Sequence, residues 1–265
     1  MQLEWRGIRV DVRLAGRQGC GLMLLHGWMC SAEMMKSIQI PMSEKMRTAA
    51  IDFPGHGRNG QSAQPLETWG VEDYMELTAE LIRLLDMAPC DIVGHSFGGR
   101  VAILLAATYP ELVGRMVLCD AAGIRAEPGA KQSFKTSVYR ARRRGLDTME
   151  KSKILKPWSE RGKEALVQAF GSQDYRSLDP RMRETFKRIV NRDLTAELPK
   201  IKASTLLFWG SADRETPLWM GQKMEKLIPD AGLVVEEGAG HFAYLERGTS
   251  LMRILNSFFL EGREP

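Results

Sequence analysis

Three short stretches carry the residue types that nucleophilic catalysis needs. In Asp91–Ala106, DIVGHSFGGRVAILLA, an apolar run breaks into Gly94-His95-Ser96-Phe97-Gly98-Gly99 and then resumes with helical spacing. A serine at the apex of such a strand-to-helix turn is forced into a strained conformation, and the flanking glycines relieve the crowding. Its hydroxyl then projects at the amino end of a helix, where dipole and free N–H groups favour developing negative charge. A serine is a poor nucleophile at its own pKa and needs a base, itself oriented by a carboxylate. His241, in EEGAGHFAYLE, follows the last predicted strand, and Asp213, in LLFWGSADRETP, follows the one before it. Ser96, Asp213 and His241 are therefore the expected catalytic residues, with Asp120 in LCDAAG as the competing orienting acid.

The other histidines have quieter readings. His26 ends a strand and His56 lies in a Gly-rich turn, so both are expected to shape loops, while His95 flanks the serine without occupying the apex. The loop after LLHGW can turn the N–H of Trp28 toward the turn, where the N–H of Phe97 supplies a second donor to an oxyanion. Met29, Met34 and Met35 follow that loop as either a pliable pocket wall or core filling.

The elements that must position these groups are short apolar strands alternating with helices. GLMLLHG, RTAAIDF, CDIVGHS, RMVLCDA, STLLFWG and GLVVEEG read as buried strands, and VEDYMELTAELIRLLDM, GGRVAILLAATYP and PLWMGQKMEKLIP as helices between them. The alternating start MQLEWRGIRVDVRLAG reads as an edge hairpin. Strand–helix–strand order implies parallel strands and right-handed crossovers. The expectation is an α/β fold: a mostly parallel open sheet of about eight strands with helices on both faces.

Residues 125–195 hold 18 Lys/Arg against 9 Asp/Glu, whereas the rest of the chain holds 19 against 24. Here the alternation gives way to helix after helix, so 124–195 is expected as an inserted helical lid, and 1–123 with 196–265 as the core. Its aromatic residues Phe134, Tyr139, Trp158, Phe170 and Tyr175 are assigned no role in the site.

Composition narrows the function classes. A net charge of +4 in 265 residues is too small to suggest nucleic acid, and no apolar run reaches membrane-spanning length. The start lacks a signal-peptide core, which leads to the expectation of a cytoplasmic protein. Cys20, Cys30, Cys90 and Cys119 follow no metal-ligand spacing, and no metal or cofactor is expected.

The motifs together resemble the α/β-hydrolase superfamily: His26-Gly27-Trp28, Asp52-Phe53-Pro54-Gly55-His56-Gly57, Gly94 to Gly99, Gly210-Ser211-Ala212-Asp213 and Gly240-His241-Phe242 occur in its order. The resemblance spans about residues 3 to 260, leaving the lid unmatched. Within it, haloalkane dehalogenases and epoxide hydrolases carry an aspartate where Ser96 stands. The meta-cleavage carbon–carbon hydrolases share the lidded layout and DRETP, but typically have a glycine-rich oxyanion loop where this chain has HGWMCSAE, and a Trp where it has Leu245. A menaquinone-pathway lyase branch resembles the chain at Arg100, which reads equally as a helix residue reaching solvent and is taken so. The resemblance thus implies a carboxylesterase-like serine hydrolase acting on a small-molecule ester, as monomer or homodimer. A carbon–carbon bond hydrolase or lyase with the same triad, and a ligand receptor with little turnover, are the alternatives.

Overall fold

Leu22 and Leu24 pack into one apolar cluster and Met23 and Leu25 into another, although all four are fully buried neighbours on one strand. Successive strand side chains point to opposite faces, so this strand must be covered on both. A computed structural model of the chain describes residues 1–57, 68–125, 146, 148, 156–170, 178 and 180–261.

Eight strands form one sheet: β1 Gln2–Trp5, β2 Ile8–Ala15, β3 Gly21–Leu25, β4 Arg47–Ile51, β5 Cys90–His95, β6 Val113–Cys119, β7 Thr205–Gly210 and β8 Ala231–Glu236. Their spatial order is β1-β2-β4-β3-β5-β6-β7-β8. The β1–β2 and β2–β4 pairs are antiparallel and all others are parallel. The first two strands join through Arg6 and Gly7, both at positive φ, the geometry that tight hairpins favour.

The helices are α1 Lys36–Met42, α2 Val71–Leu84, α3 Phe97–Thr108, α4 Lys156–Phe170, α5 Pro180–Asn191, α6 Leu218–Leu227, α7 Ala243–Glu246 and α8 Gly248–Leu260. Ile38 of α1 and Leu251, Leu255 and Phe259 of α8 join Leu22 and Leu24 in one cluster. Tyr74 and Leu77 of α2, Val101 and Leu105 of α3 and Met224 of α6 join Met23 and Leu25 in the other. Each fully buried aliphatic side chain contributes about 1.5–3 kcal/mol of burial free energy. Both faces of the sheet are thus held by apolar stripes at helical spacing.

The chain divides into two compact units, Met1–Arg125 with Arg188–Pro265, and Ala126–Lys187. The return to the first unit comes earlier than the expected boundary at 195. Ile189 and Leu194 are buried in its core, and the Leu194 N–H donates to Gly123 O at 2.9 Å. Helical character in 124–195 thus does not by itself mark membership of the second unit. Within that unit, the Arg183 guanidinium grips the Glu164 carboxylate through two hydrogen bonds of 2.6 and 3.1 Å. Trp158 on α4 is exposed. Phe134, Tyr139, Tyr175 and the side chain of Phe170 lie outside the described residues. Among the described residues no helix is long and apolar enough to cross a membrane, and no group of three His, Cys, Asp or Glu could hold a metal.

Candidate active site

Ser96 stands between β5 and α3 with φ 50° and ψ −109°, a conformation that L residues rarely adopt. Close packing enforces it. A Cβ on Gly94 would come within 2.8 Å of Gly98 O, and one on Gly98 would overlap Leu25 O and sit 2.8 Å from His26 O. The turn can therefore close, and α3 can approach the end of β3, only with glycine at both positions. The Ser96 backbone is pinned on both sides: its N–H donates to Cys119 O at 3.1 Å, and its carbonyl accepts from Arg100 at 3.1 Å and Ala122 at 3.0 Å.

The parallel order β5-β6-β7-β8 brings the loops after these strands to one edge of the sheet. There His241 Nε2 lies 3.0 Å from Ser96 Oγ, and His241 Nδ1 lies 2.9 Å from Asp213 Oδ2. With the Nδ1–H donated to the carboxylate, Nε2 is left to accept the serine hydroxyl. The Asp213 side chain is fully buried, and its other oxygen accepts the N–H groups of Glu215 at 2.8 Å and Thr216 at 3.1 Å. The Thr216 hydroxyl donates to Oδ2 at 2.6 Å.

These contacts set the protonation states. Burial alone would raise the Asp213 pKa, but the bonds from His241 and Thr216 hold it below the ordinary carboxylate value. Burial would likewise lower the His241 pKa, yet the hydrogen bond to Asp213 and its negative charge lift it above the ordinary 6.5. An ionised acid beside a basic imidazole that contacts a serine hydroxyl is an arrangement able to draw a proton from that serine.

Asp120, the competing acid, has another use for its carboxylate. One oxygen accepts the Gly210 N–H at 2.8 Å and the other the Ala243 N–H at 3.1 Å, so it is Asp213 that meets the imidazole.

His95 is also engaged. Its Nε2–H donates to the carbonyl of His241 at 2.8 Å, and burial pulls its pKa down to about 3, which keeps the ring neutral. His26 donates from Nδ1 to Gly27 O at 2.7 Å and accepts the Phe53 N–H on Nε2 at 3.0 Å, tying the loops after β3 and β4 together. His56 donates from Nδ1 to Pro54 O at 3.1 Å and packs its ring on Trp28 at 4.4 Å.

Gly27 borders the turn, since a Cβ there would lie 2.8 Å from His95 Nδ1 and 3.4 Å from the Ser96 Cβ. The rings of Trp28 and Phe97 meet edge to face at 5.3 Å, so the two expected oxyanion donors belong to adjoining residues. As the first residue of α3, Phe97 has an N–H with no acceptor inside the helix. Of the three methionines, Met35 is core and Met29 is exposed.

Arg100 corrects the sequence reading. It is 5% exposed instead of reaching solvent, and its Nη1 donates to Arg192 O. Burial lowers its pKa to about 10, with Asp193 nearby opposing the shift, so the guanidinium stays charged. Thr216 and the amide contacts of Asp120 escaped the sequence analysis. The placement of Thr216 three residues after Asp213, where a hydroxyl can turn back on a preceding carboxylate, is the one local signal that points to the first.

The sequence profile of the alpha/beta hydrolase family matches residues 22–251. The chain belongs to the alpha/beta hydrolase family. This alpha/beta hydrolase is 26% identical over 237 residues to the 2-hydroxy-6-oxo-2,4-heptadienoate hydrolase of Pseudomonas putida, covering 84% of the chain and 82% of that protein. It is 25% identical over 249 residues to the pimeloyl-[acyl-carrier protein] methyl ester esterase of Neisseria meningitidis serogroup C, covering 89% of the chain and 91% of that protein. Among solved structures, the alpha/beta hydrolase MGS-M2 from a deep-sea metagenome library of the Medee basin superposes with a TM-score of 0.74 at 21% identity, over 100% of this chain and 99% of that one.

Proposed function

We propose that this alpha/beta hydrolase is a serine esterase that cleaves small carboxylic esters through an acyl-enzyme on Ser96. The observation that carries the reading is the continuous path from Ser96 Oγ to His241 Nε2 at 3.0 Å and from His241 Nδ1 to Asp213 at 2.9 Å. Ser96 Oγ attacks the ester carbonyl while its proton passes to His241 Nε2, and the N–H groups of Trp28 and Phe97 receive the oxyanion. Collapse expels the alkoxide, which leaves with the proton from His241. Water then gives a proton to His241 and attacks the acyl carbon, and the second collapse releases the carboxylic acid and restores Ser96. Asp213 stays ionised throughout and holds the imidazole in one tautomer. Nucleophile, base and acid all come from the chain, so the reaction as written calls on no cofactor.

The match to a methyl ester esterase supports ester cleavage. The comparable match to a 2-hydroxy-6-oxo-2,4-heptadienoate hydrolase keeps a second reading in view, in which the same three residues cleave a carbon–carbon bond.

Fluorophosphonate labelling with intact-mass and peptide mapping, combined with a p-nitrophenyl ester series from acetate to octanoate, tests the choice. A single adduct on Ser96 with multiple turnovers is the expected result. An adduct without ester turnover would favour carbon–carbon cleavage or a receptor, and no adduct would remove the nucleophile from the proposal.

A further inference from the structure

Asp120 is a carboxylate where a carboxylate is costly. It is fully buried, sits at φ 45°, and makes no ion pair among the described residues. Taking such a group out of water is unfavourable unless hydrogen bonds replace its hydration. Both bonds to its carboxylate lead to the loops that carry Asp213 and His241. Its N–H donates to Phe208 O at 3.0 Å, extending the β6–β7 ladder by one rung beyond the Cys119–Phe208 pair. Its Oδ1 accepts from Gly210, the last residue of β7, at 2.8 Å, and its Oδ2 accepts from Ala243, two residues after His241, at 3.1 Å. Its carbonyl lies 2.9 Å from the Thr216 hydroxyl that also reaches Asp213.

The sheet alone does not determine this geometry. The β7–β8 ladder ends at Gly210 and Glu236, and Asp213 and His241 both lie in loops beyond it. Two backbone bonds, Ser211 N–H to Glu236 O at 3.0 Å and Ala212 N–H to Ala239 O at 2.9 Å, join the loops near their starts. The Asp120 carboxylate, with one oxygen on each side, adds the tie that reaches past the histidine, to the second residue after it.

We infer that Asp120 is a positioning residue: it clamps the loop bearing Asp213 and the loop bearing His241 in one register, so that the imidazole meets Asp213 and Ser96 together. The inference rests on the hydrolytic roles proposed above for those three residues. Asp120 touches neither the serine nor the imidazole through a hydrogen bond; it acts through the backbone on which they are mounted.

The clamp has a titration of its own. Burial and the negative charge of Asp213 raise the Asp120 pKa, the Gly210 and Ala243 amides and the charge of His241 lower it, and the balance lies at about 7. The buried Cys119 thiol and Tyr244 phenol also face its charge. Protonation would turn one acceptor oxygen into a hydroxyl opposing an N–H, weakening one arm of the clamp.

The test is a pH titration of the Gly210 and Ala243 amide resonances by ¹H–¹⁵N NMR on the intact protein, with kinetics on a p-nitrophenyl ester. In the wild type both amides are expected to share one titration midpoint, and in Asp120→Asn the component at that midpoint disappears from both, leaving only the response to the His241 titration. Asp120→Asn is expected to lose about 100-fold in kcat, the scale of a small misplacement of reacting groups, with KM within about twofold. The downfield N–H proton shared by His241 and Asp213 should move or broaden in the variant, which a role limited to general stability would not cause. Amides that do not titrate, or that titrate unchanged in Asp120→Asn, would overturn the clamp, as would an unaltered kcat. The wild-type titration needs no variant to fold. It also separates the two claims: absence of Ser96 labelling would sink the hydrolase reading, while the amide titrations would still decide whether Asp120 joins the two loops.

Discussion

The Thr216 hydroxyl lies 2.6 Å from Asp213 Oδ2, the same oxygen that faces the imidazole of His241 at 2.9 Å. The carboxylate is thus saturated by the turn that follows it, with two backbone amides on Oδ1 and a hydroxyl beside the histidine on Oδ2. It cannot rotate without losing several bonds at once. Thr216→Val removes the hydroxyl while keeping shape, and should cost about 2 kcal/mol, the scale of a hydrogen bond to a charged group. Chemical denaturation measures it, and a loss near zero would show that the hydroxyl contributes nothing to holding the acid.

The pH profile should carry the mark of His241. Proton abstraction from Ser96 needs the neutral imidazole, and the Asp213 contact raises the His241 pKa above 6.5, so the acid limb of kcat/KM is expected above that pH. Asp213→Asn removes the hydrogen-bonding anion and leaves burial as the dominant influence. The limb should then move below 6.5 while kcat falls by about 10⁴. A limb that stays in place would detach the acid from the base.

Ser96 combines the chemical role proposed for it with a conformational one. Ser96→Ala should abolish labelling and turnover with a melting temperature close to wild type, because the strained backbone is kept. Ser96→Gly should be equally inactive yet more stable than Ser96→Ala by about 1 kcal/mol, since glycine adopts φ 50° without a Cβ conflict. Equal stability of the two variants would mean that the turn stores no strain.

Gly98→Ala tests whether the turn can exist at all. The added methyl would overlap Leu25 O, a backbone atom within the central sheet, which cannot yield as a flexible side chain would. A destabilisation of about 3 kcal/mol or more is expected from thermal or denaturant unfolding.

Arg100 separates a structural cation from one that binds substrate. Arg100→Met should cost about 1–3 kcal/mol, because the Arg192 carbonyl loses its partner. KM should change alike for a neutral and a carboxylate-bearing ester. A selective rise for the anionic ester would make the guanidinium a substrate-binding group and favour the lyase-like reading.

Much of this was legible in the chain. Strand and helix positions follow from continuous apolar runs and from 3.6-residue spacing, so GLMLL and VEDYMELTAELIRL appear where local pattern puts them. The serine turn was legible because its glycines answer a strictly local crowding. The burial of Arg100 is not legible because its surroundings come from residues about ninety positions later, and no local pattern announces a backbone carbonyl that will bind a guanidinium. The early return to the core was hidden for a like reason: Ile189 sits in a polar helix that looks no different from those before it.

By itself the sequence determined which serine, histidine and aspartate side chains are candidates for the proposed chemistry, in what order, and on which kinds of element, because strand runs, helix stripes and glycine turns are written in short-range sterics and apolar spacing. Only the tertiary structure decided which acid meets the imidazole. Asp120 and Asp213 both follow strands, both are buried, and both lie far from His241 in the chain. The parallel adjacency of β6, β7 and β8 brings all three loops to one edge, and there Gly210 and Ala243 present amides to Asp120 while the imidazole faces Asp213. That division depends on distances across neighbouring strands, which sequence spacing does not encode.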